Sequence, residues 1–248
     1  MSTTESRYVE KKIARPAMLI ERGDTTYPGE EFASVTEWLR CVKEDFPKFI
    51  PFLTKTCELD FRGRVLEIGA GCAWFSAELS KLPAVVEVIA ADVSAPLLKT
   101  EAPRIFKLLK AKEAKITRMT ADTSRLDFPA NQFDFVVCAD ALHRAVSPLR
   151  VLREARRVLK PGGQFIAIRE PVRPLMKLKA RPARNGKPGV APTPGFALSE
   201  YREMFEQAGL KLTVKRVVLS RGFKYYFDKM VNGLTHARYA FVATKAAR

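Results

Sequence analysis

The sequence predicts a doubly wound α/β fold: a mostly parallel, seven-stranded sheet with an antiparallel C-terminal strand and helices on both faces. Three observations predict it. Short apolar runs recur at Val65–Ile68, Val85–Asp92, Ile116–Thr120, Phe133–Asp140 and Gln164–Arg169, as strands buried on both faces do. Between most of them lie stretches with apolar residues at helical spacing. A glycine turn follows the first run directly, at Gly69-Ala70-Gly71.

Residues 1 to about 29 read as an irregular arm, closed by the turn signal Tyr27-Pro28-Gly29. Glu30 to Phe46 reads as an amphipathic helix with Phe32, Val35, Leu39 and Val42 on one stripe. Glu30 and Glu31 suit its N-terminal dipole, and Pro47 and Pro51 are expected to break it.

The stretch Val-Leu-Glu-Ile-Gly-Ala-Gly-Cys-Ala-Trp-Phe, Val65 to Phe75, organises the rest of the chain. A strand leads into a glycine turn, and a helix is expected from Cys72 with Phe75, Leu79 and Leu82 on one face. Free helix N–H groups and bare backbone then face a ligand, as in a nucleotide-type site. A dinucleotide fingerprint needs a glycine where Trp74 stands, which argues against NAD and FAD and therefore against a dehydrogenase. Asp92 ends the next strand 21 residues after Gly71, close to the interval at which a ribose-binding acid follows such a turn. A strand-end aspartate also caps helices. Val93 would lie against an adenine face.

Pro96 to Ala111 reads as a helix interrupted at Pro103. The third strand delivers Ala121-Asp122-Thr123, and Asp127 follows in a loop. The fourth strand ends at Asp140 and leads into Ala141-Leu142-His143-Arg144. Ser147-Pro148 opens a helix with a buried stripe of Val151, Leu152, Ala155, Val158 and Leu159. Arg150, Arg153, Arg156 and Arg157 form its solvated face. Leu159-Lys160-Pro161-Gly162-Gly163 ends it. Pro171 to Leu198 then holds six prolines, six Lys or Arg residues and no acid, a composition that predicts a basic loop or lid over the site. Ser199 to Ala208 is a helix stopped by Gly209. Lys211–Leu219 and Tyr239–Ala243 are strands, and their connection carries Phe223, Tyr225, Tyr226 and Phe227, as core or pocket lining.

The order E-x-G-x-G at Glu67 to Gly71, then Asp92, Asp122, and a fourth-strand end followed by Arg-Val-Leu-Lys-Pro-Gly-Gly, resembles the class I S-adenosylmethionine-dependent methyltransferases. The likeness covers about residues 60 to 170 well and the C-terminal strands more loosely. It implies a Rossmann-like methyltransferase fold and S-adenosylmethionine as cofactor. By resemblance, Glu67 contacts the methionine part, directly or through water, beside the turn Gly69, Ala70 and Gly71. Asp92 and Val93 serve the ribose and adenine. Asp122, with Thr123, accepts from the adenine amino group. Ala139, Asp140 and His143 face the transferred methyl. Leu142-His143 resembles the ubiquinone-biosynthesis-like branch, where Leu-His-His is common. Here Arg144 replaces the second histidine, so no role for that histidine carries over. No Asn-Pro-Pro-Tyr motif of base-directed methyltransferases is present.

The domain reading is an N-terminal arm with capping helices over 1–59 and a methyltransferase domain over 60–248, with the lid at 171–198. His143 is the candidate general base, because imidazole titrates near neutral pH, and Asp140 orients it or the acceptor. His236 ranks lower. The formal charge of +16 favours anionic partners. The expected function is methyl transfer to a small-molecule acceptor, lipid-like or anionic. The alternatives are an RNA methyltransferase and a catalytically inactive binding protein of this fold. The expected partners are the acceptor and an anionic membrane surface, ahead of nucleic acid. Met1 to Lys12 is polar, no apolar run reaches membrane-span length, and the four cysteines lack metal-ligand spacing. Reduced thiols and a cytoplasmic protein, peripheral at the membrane through the lid, are expected; no metal is.

Overall fold

A computed structural model describes residues 5–11, 34–173, 195–219 and 239–247. Its strands and helices are β1 (Arg7–Val9), α1 (Val35–Glu44), α2 (Phe49–Pro51), β2 (Gly63–Ile68), α3 (Trp74–Ser80), β3 (Val85–Asp92), α4 (Ala102–Leu109), β4 (Ile116–Thr120), β5 (Phe133–Ala139), α5 (Pro148–Val158), β6 (Leu159–Ile168), β7 (Val172–Arg173), β8 (Phe196–Ala197), α6 (Leu198–Gln207), β9 (Leu210–Arg216) and β10 (Tyr239–Lys245).

The main sheet runs β1-β4-β3-β2-β5-β6-β10-β9. Pairs from β1 to β6 are parallel, and β10 is antiparallel to both β6 and β9. The expected seven strands are present, and β1 is an eighth. From β2 the chain moves outward through β3 to β4, then returns to the other side of β2 for β5. That reversal opens a crevice beyond the carboxyl ends of β2 and β5, where open α/β sheets bind ligands.

Strand parity builds two cores. Val65, Val88, Ala90, Val137 and Ile168 face α3 and α4. Leu66, Ile68, Ile89, Val136, Cys138 and Phe165 face α5 and α6, where Tyr201, Phe205 and Phe241 complete an aromatic cluster. By the same alternation Glu67 and Asp92 fall on the α3 face.

Several local expectations are corrected. The arm is not wholly irregular: Arg7–Val9 pairs with β4, and Arg118 bolts it down. The Arg118 guanidinium donates to Ser6 O at 2.8 Å and Leu98 O at 2.7 Å and lies over the Tyr8 ring. A three-residue strand is too short to show periodicity. Helix α1 starts after Ser34, whose hydroxyl accepts from the Glu37 N–H at 3.1 Å. Its buried face is Trp38 and Val42, while Val35 and Leu39 are 56% and 37% exposed. The bulk of Trp38 draws the helix round its axis relative to the expected stripe. Helix α1 ends at Glu44, ahead of Pro47 as expected, but the chain continues in short helical turns through both prolines. They sit in successive turns over Phe46–Thr56, where the missing N–H costs little.

Helix α3 starts at Trp74, two residues later than expected, because Gly71 and Ala73 both adopt left-handed backbone, at φ 53° and 57°. Trp74 is buried against Phe46, Phe49 and Phe75, so the bulk that excludes a dinucleotide turn here holds the N-terminal helical segment. Ser147 precedes α5 but makes no side-chain cap. The Pro161-Gly162-Gly163 stretch falls within β6, as an irregularity: Phe133 pairs with Leu159, but Phe135 pairs with Gln164. Regular pairing therefore begins at the residue expected to open the strand. Helix α6 begins at Leu198 with Ala197 as its cap, and Gly209 stops it at φ 70°. Asp140 lies one residue beyond β5, and β9 ends at Arg216.

Tyr27–Gly29, Glu30–Phe32, the inner part of the proposed lid (174–194), and the connection carrying Phe223, Tyr225, Tyr226, Phe227 and His236 lie outside the described residues. The two ends of the lid are paired with each other, Val172 to Phe196 and Arg173 to Ala197. No helix among the described residues is long and apolar enough to cross a membrane.

Candidate active site

The parallel strands β2 to β5 point their carboxyl ends to one edge, and at that edge, among the described residues, stand Glu67, Gly69, Ala70, Gly71, Asp92, Val93, Asp122, Thr123, Ala139, Asp140 and His143. Backbone bonds tie the first strand ends together. Ala70 N–H donates to Ala91 O at 3.0 Å, and Ala121 N–H to Asp92 O at 2.9 Å.

On the β2–β3–β4 side, three carboxylates hold their own loops. Glu67, 1% exposed, accepts from the Ser76 N–H at 2.8 Å and from its hydroxyl, through a single oxygen. Its other oxygen takes no hydrogen bond among the described residues. Burial pushes the Glu67 carboxyl up to about 8, against the Ser76 bonds, and the Asp92 charge adds to the rise. Asp92 accepts from Gly71 N–H at 2.7 Å and Ser94 N–H at 2.8 Å, one per oxygen. Burial raises its pKa as well. Each oxygen retains a second lone pair. Asp92 thus combines the capping role with remaining acceptor capacity. Asp122 accepts the Ser124 N–H and hydroxyl on one oxygen, both at 2.8 Å, and its second oxygen accepts none among the described residues. A Cβ at Gly71 would meet nothing within 4 Å, so the turn is open on its outer side. Buried acceptors with spare lone pairs beside an open glycine turn suit a ligand rich in donors and positive charge. S-adenosylmethionine, with an ammonium, a sulfonium, ribose hydroxyls and an adenine amino group, fits that description.

On the β5–β6 side, the organising residue is one the sequence reading missed. Glu170, 4% exposed, accepts from Ala141 N–H and Leu142 N–H at 2.9 Å on one oxygen and from His143 N–H at 3.0 Å on the other. The second oxygen also lies 2.7 Å from His143 Nδ1. Burial alone would raise the Glu170 carboxyl. The His143 imidazole and the backbone N–H groups outweigh it and hold the carboxyl below its usual range. In a neutral imidazole, an ionised Glu170 favours the tautomer with the proton on Nδ1 and the lone pair on Nε2. Asp140 Oδ1 stands 3.9 Å from Nε2, and Arg144 donates to Asp140 Oδ2 at 2.9 Å.

Backbone strain places these groups. Asp140 and Arg169 directly follow the paired strand ends Ala139 and Ile168, and both are left-handed, at φ 57° and 62°. Ile168 packs on the α3 face, and a regular strand would send Glu170 there too. The turn at Arg169 brings Glu170 instead to the α5 face, 3.8 Å from Cys138 Sγ. Such strain concentrates at functional sites. The Arg169 guanidinium lies 4.3 Å from the Phe46 ring centroid, which joins this edge to the N-terminal helical segment. The one sequence sign of Glu170 was an acid closing an apolar strand.

Residues 66–167 match the family model described as a methyltransferase domain. The chain is 29% identical over 180 residues to the ubiquinone/menaquinone biosynthesis C-methyltransferase UbiE of Pseudomonas putida, covering 69% of each chain. It is 34% identical to the UbiE of Pseudomonas fluorescens over 106 residues, 42% of this chain and 41% of that one. In that second case the match spans well under half of the relative's length. A crystal structure of an S-adenosylmethionine-dependent methyltransferase from Aquifex aeolicus superposes with a TM-score of 0.54 at 21% identity, covering 83% of this chain and 92% of that one. These likenesses support a methyltransferase domain over residues 66–167, in a chain that shares its fold with solved S-adenosylmethionine-dependent methyltransferases. They also support S-adenosylmethionine as the cofactor.

Proposed function

We propose that this methyltransferase alkylates a carbon acid: a small anionic or lipid-like acceptor whose proton His143 removes as the methyl arrives. The buried Glu170–His143 pair carries the reading. A carboxylate that fixes Nδ1–H leaves Nε2 as acceptor, and such a base is needed only where the nucleophile must lose a proton. The likeness to UbiE proteins, named as C-methyltransferases, supports carbon as the acceptor atom.

In this reading Glu67 takes the cationic methionine end, Asp92 and Val93 the ribose and adenine, and Asp122 with Thr123 the adenine edge. Gly69, Ala70 and Gly71 form the floor, and Ala139 borders the reacting centre. The cofactor supplies an electrophilic methyl group. The chain's residues orient both partners and exclude water. Residues 60–248 act as the catalytic domain, against which Phe46 and Phe49 of the 1–59 region pack at Trp74. The positive charge of the 171–198 segment suits an anionic acceptor or membrane surface.

The test is transfer of labelled methyl from S-adenosylmethionine to a panel of enolisable carboxylates, hydroxyarenes and isoprenoid quinols. Label should appear in a base-stable carbon–methyl product. His143→Asn should lower kcat by about 10²-fold or more with cofactor affinity unchanged. Label confined to RNA, with binding that falls steeply with salt, would contradict the reading.

A further inference from the structure

We propose that Arg144 is the acceptor-recognition residue and that Asp140 occupies, in the free enzyme, the place on Arg144 that a carboxylate of the acceptor takes. This deepens the base reading of His143 and rests on it. The side chains of His143, Asp140 and Arg144 are 4%, 22% and 46% exposed, so Arg144 and Asp140 are the outer members of the group.

Arg144 is held at two points. Its Nε donates to the Asp140 backbone oxygen at 3.0 Å, and its Nη2 donates to Asp140 Oδ2 at 2.9 Å. The first contact depends on the loop, because the left-handed backbone at Asp140, φ 57°, sets where that carbonyl points. It survives any rotation of the Asp140 side chain. The second contact is a partly exposed ion pair, which binds weakly and exchanges readily. A guanidinium anchored by backbone keeps its planar fork in place for another carboxylate.

The position of the Asp140 carboxylate gives the second half. Oδ1 is 3.9 Å from His143 Nε2, beyond hydrogen-bond length, so Asp140 stands beside the base without a hydrogen bond to it. An acceptor carboxylate seated on Arg144 would displace Asp140 and set the adjoining carbon over Nε2. A neutral acceptor would leave Asp140 on Arg144, beside the base. The proton lost from the acceptor carbon goes to Nε2. The electron pair it leaves forms the new carbon–methyl bond as the sulfur–methyl bond breaks. The products are methylated acceptor, S-adenosylhomocysteine and a proton, so the step balances. Recognition is of a carboxylate-bearing acceptor, with Asp140 as internal competitor.

The chain has two histidines, which makes ring NMR a direct readout. The 248-residue chain saturated with S-adenosylhomocysteine is titrated with benzoate and, in parallel, with benzamide. The His143 resonances are assigned by their loss in His143→Asn. Benzoate should shift them saturably and benzamide should not. Arg144→Gln should weaken benzoate about tenfold or more. Asp140→Asn should tighten it about fivefold, the order of the ion pair removed. Asp60→Asn, an exposed acid that precedes β2 at the opposite sheet edge, should change nothing. Weaker or unchanged benzoate binding in Asp140→Asn, or wild-type binding in Arg144→Gln, would overturn the proposal while leaving the cofactor reading intact. Failure of the wild-type chain to bind S-adenosylhomocysteine in calorimetry would bring down the cofactor reading and this inference with it.

Discussion

The two halves of the catalytic edge are built differently. On the β2–β4 side each carboxylate binds backbone close by in sequence: Glu67 holds Ser76, nine residues on, and Asp122 holds Ser124, two residues on. Asp92 reaches back 21 residues to Gly71, an interval fixed by one strand–helix–strand unit. On the β5–β6 side, Glu170 reaches back 27 to 29 residues, across a whole helix and an irregular strand, to three successive N–H groups and an imidazole. The proposed cofactor half is a set of local loops. The proposed acceptor half is one loop shaped by a distant buried charge.

The contrast predicts separable failures. The largest effect belongs to Glu170. Glu170→Ala leaves three buried N–H groups without their acceptor and costs roughly 3 kcal/mol of stability in chemical denaturation, at about 1 kcal/mol each. In the fraction that folds, methyl transfer should fall by about 10²-fold or more, while S-adenosylhomocysteine affinity stays at the wild-type value. A matching loss of cofactor affinity would erase the distinction between the halves.

A change in pH should act on the cofactor half. Burial raises the Glu67 carboxyl to about 8, so it is protonated at neutral pH in the free protein. For an acid raised in this way, the stability contribution is complete below the ordinary glutamate pKa and lost as pH climbs through about 8. A bound cation favours the ionised form. Affinity for S-adenosylmethionine should therefore rise about tenfold between roughly pH 6.5 and 8.5, with proton release on binding. Glu67→Gln should abolish the pH dependence. A flat wild-type profile would mean that Glu67 stays neutral in the complex.

The smallest effect lies at the sheet edge. Arg118→Met should cost about 1–2 kcal/mol by freeing β1 and should leave cofactor affinity unaltered.

Legibility in the sequence divides along the same line. The strand–turn–helix of Val65–Phe75 and the spacing of Asp92 could be read because local chain chemistry fixes them. The five parallel strands could be read because both their faces are buried. Glu170 could not, since its direction depends on a left-handed Arg169, and an arginine carries no sign of such a backbone. The β1 strand was hidden because its partner interactions come from Arg118, more than a hundred residues away. The helix stripe around Trp38 was misplaced because one large side chain outweighed the regular pattern.

The glycine turn and Asp92 are proposed to form an S-adenosylmethionine site. Calorimetric titration with S-adenosylhomocysteine, using NAD as control and Asp92→Ala as variant, is the test. Micromolar binding by the wild-type chain, no binding of NAD, and at least about 100-fold weaker binding by Asp92→Ala, the loss of charge-assisted bonds to a buried acid, are the expected results. Binding of NAD, or wild-type affinity in Asp92→Ala, would contradict it.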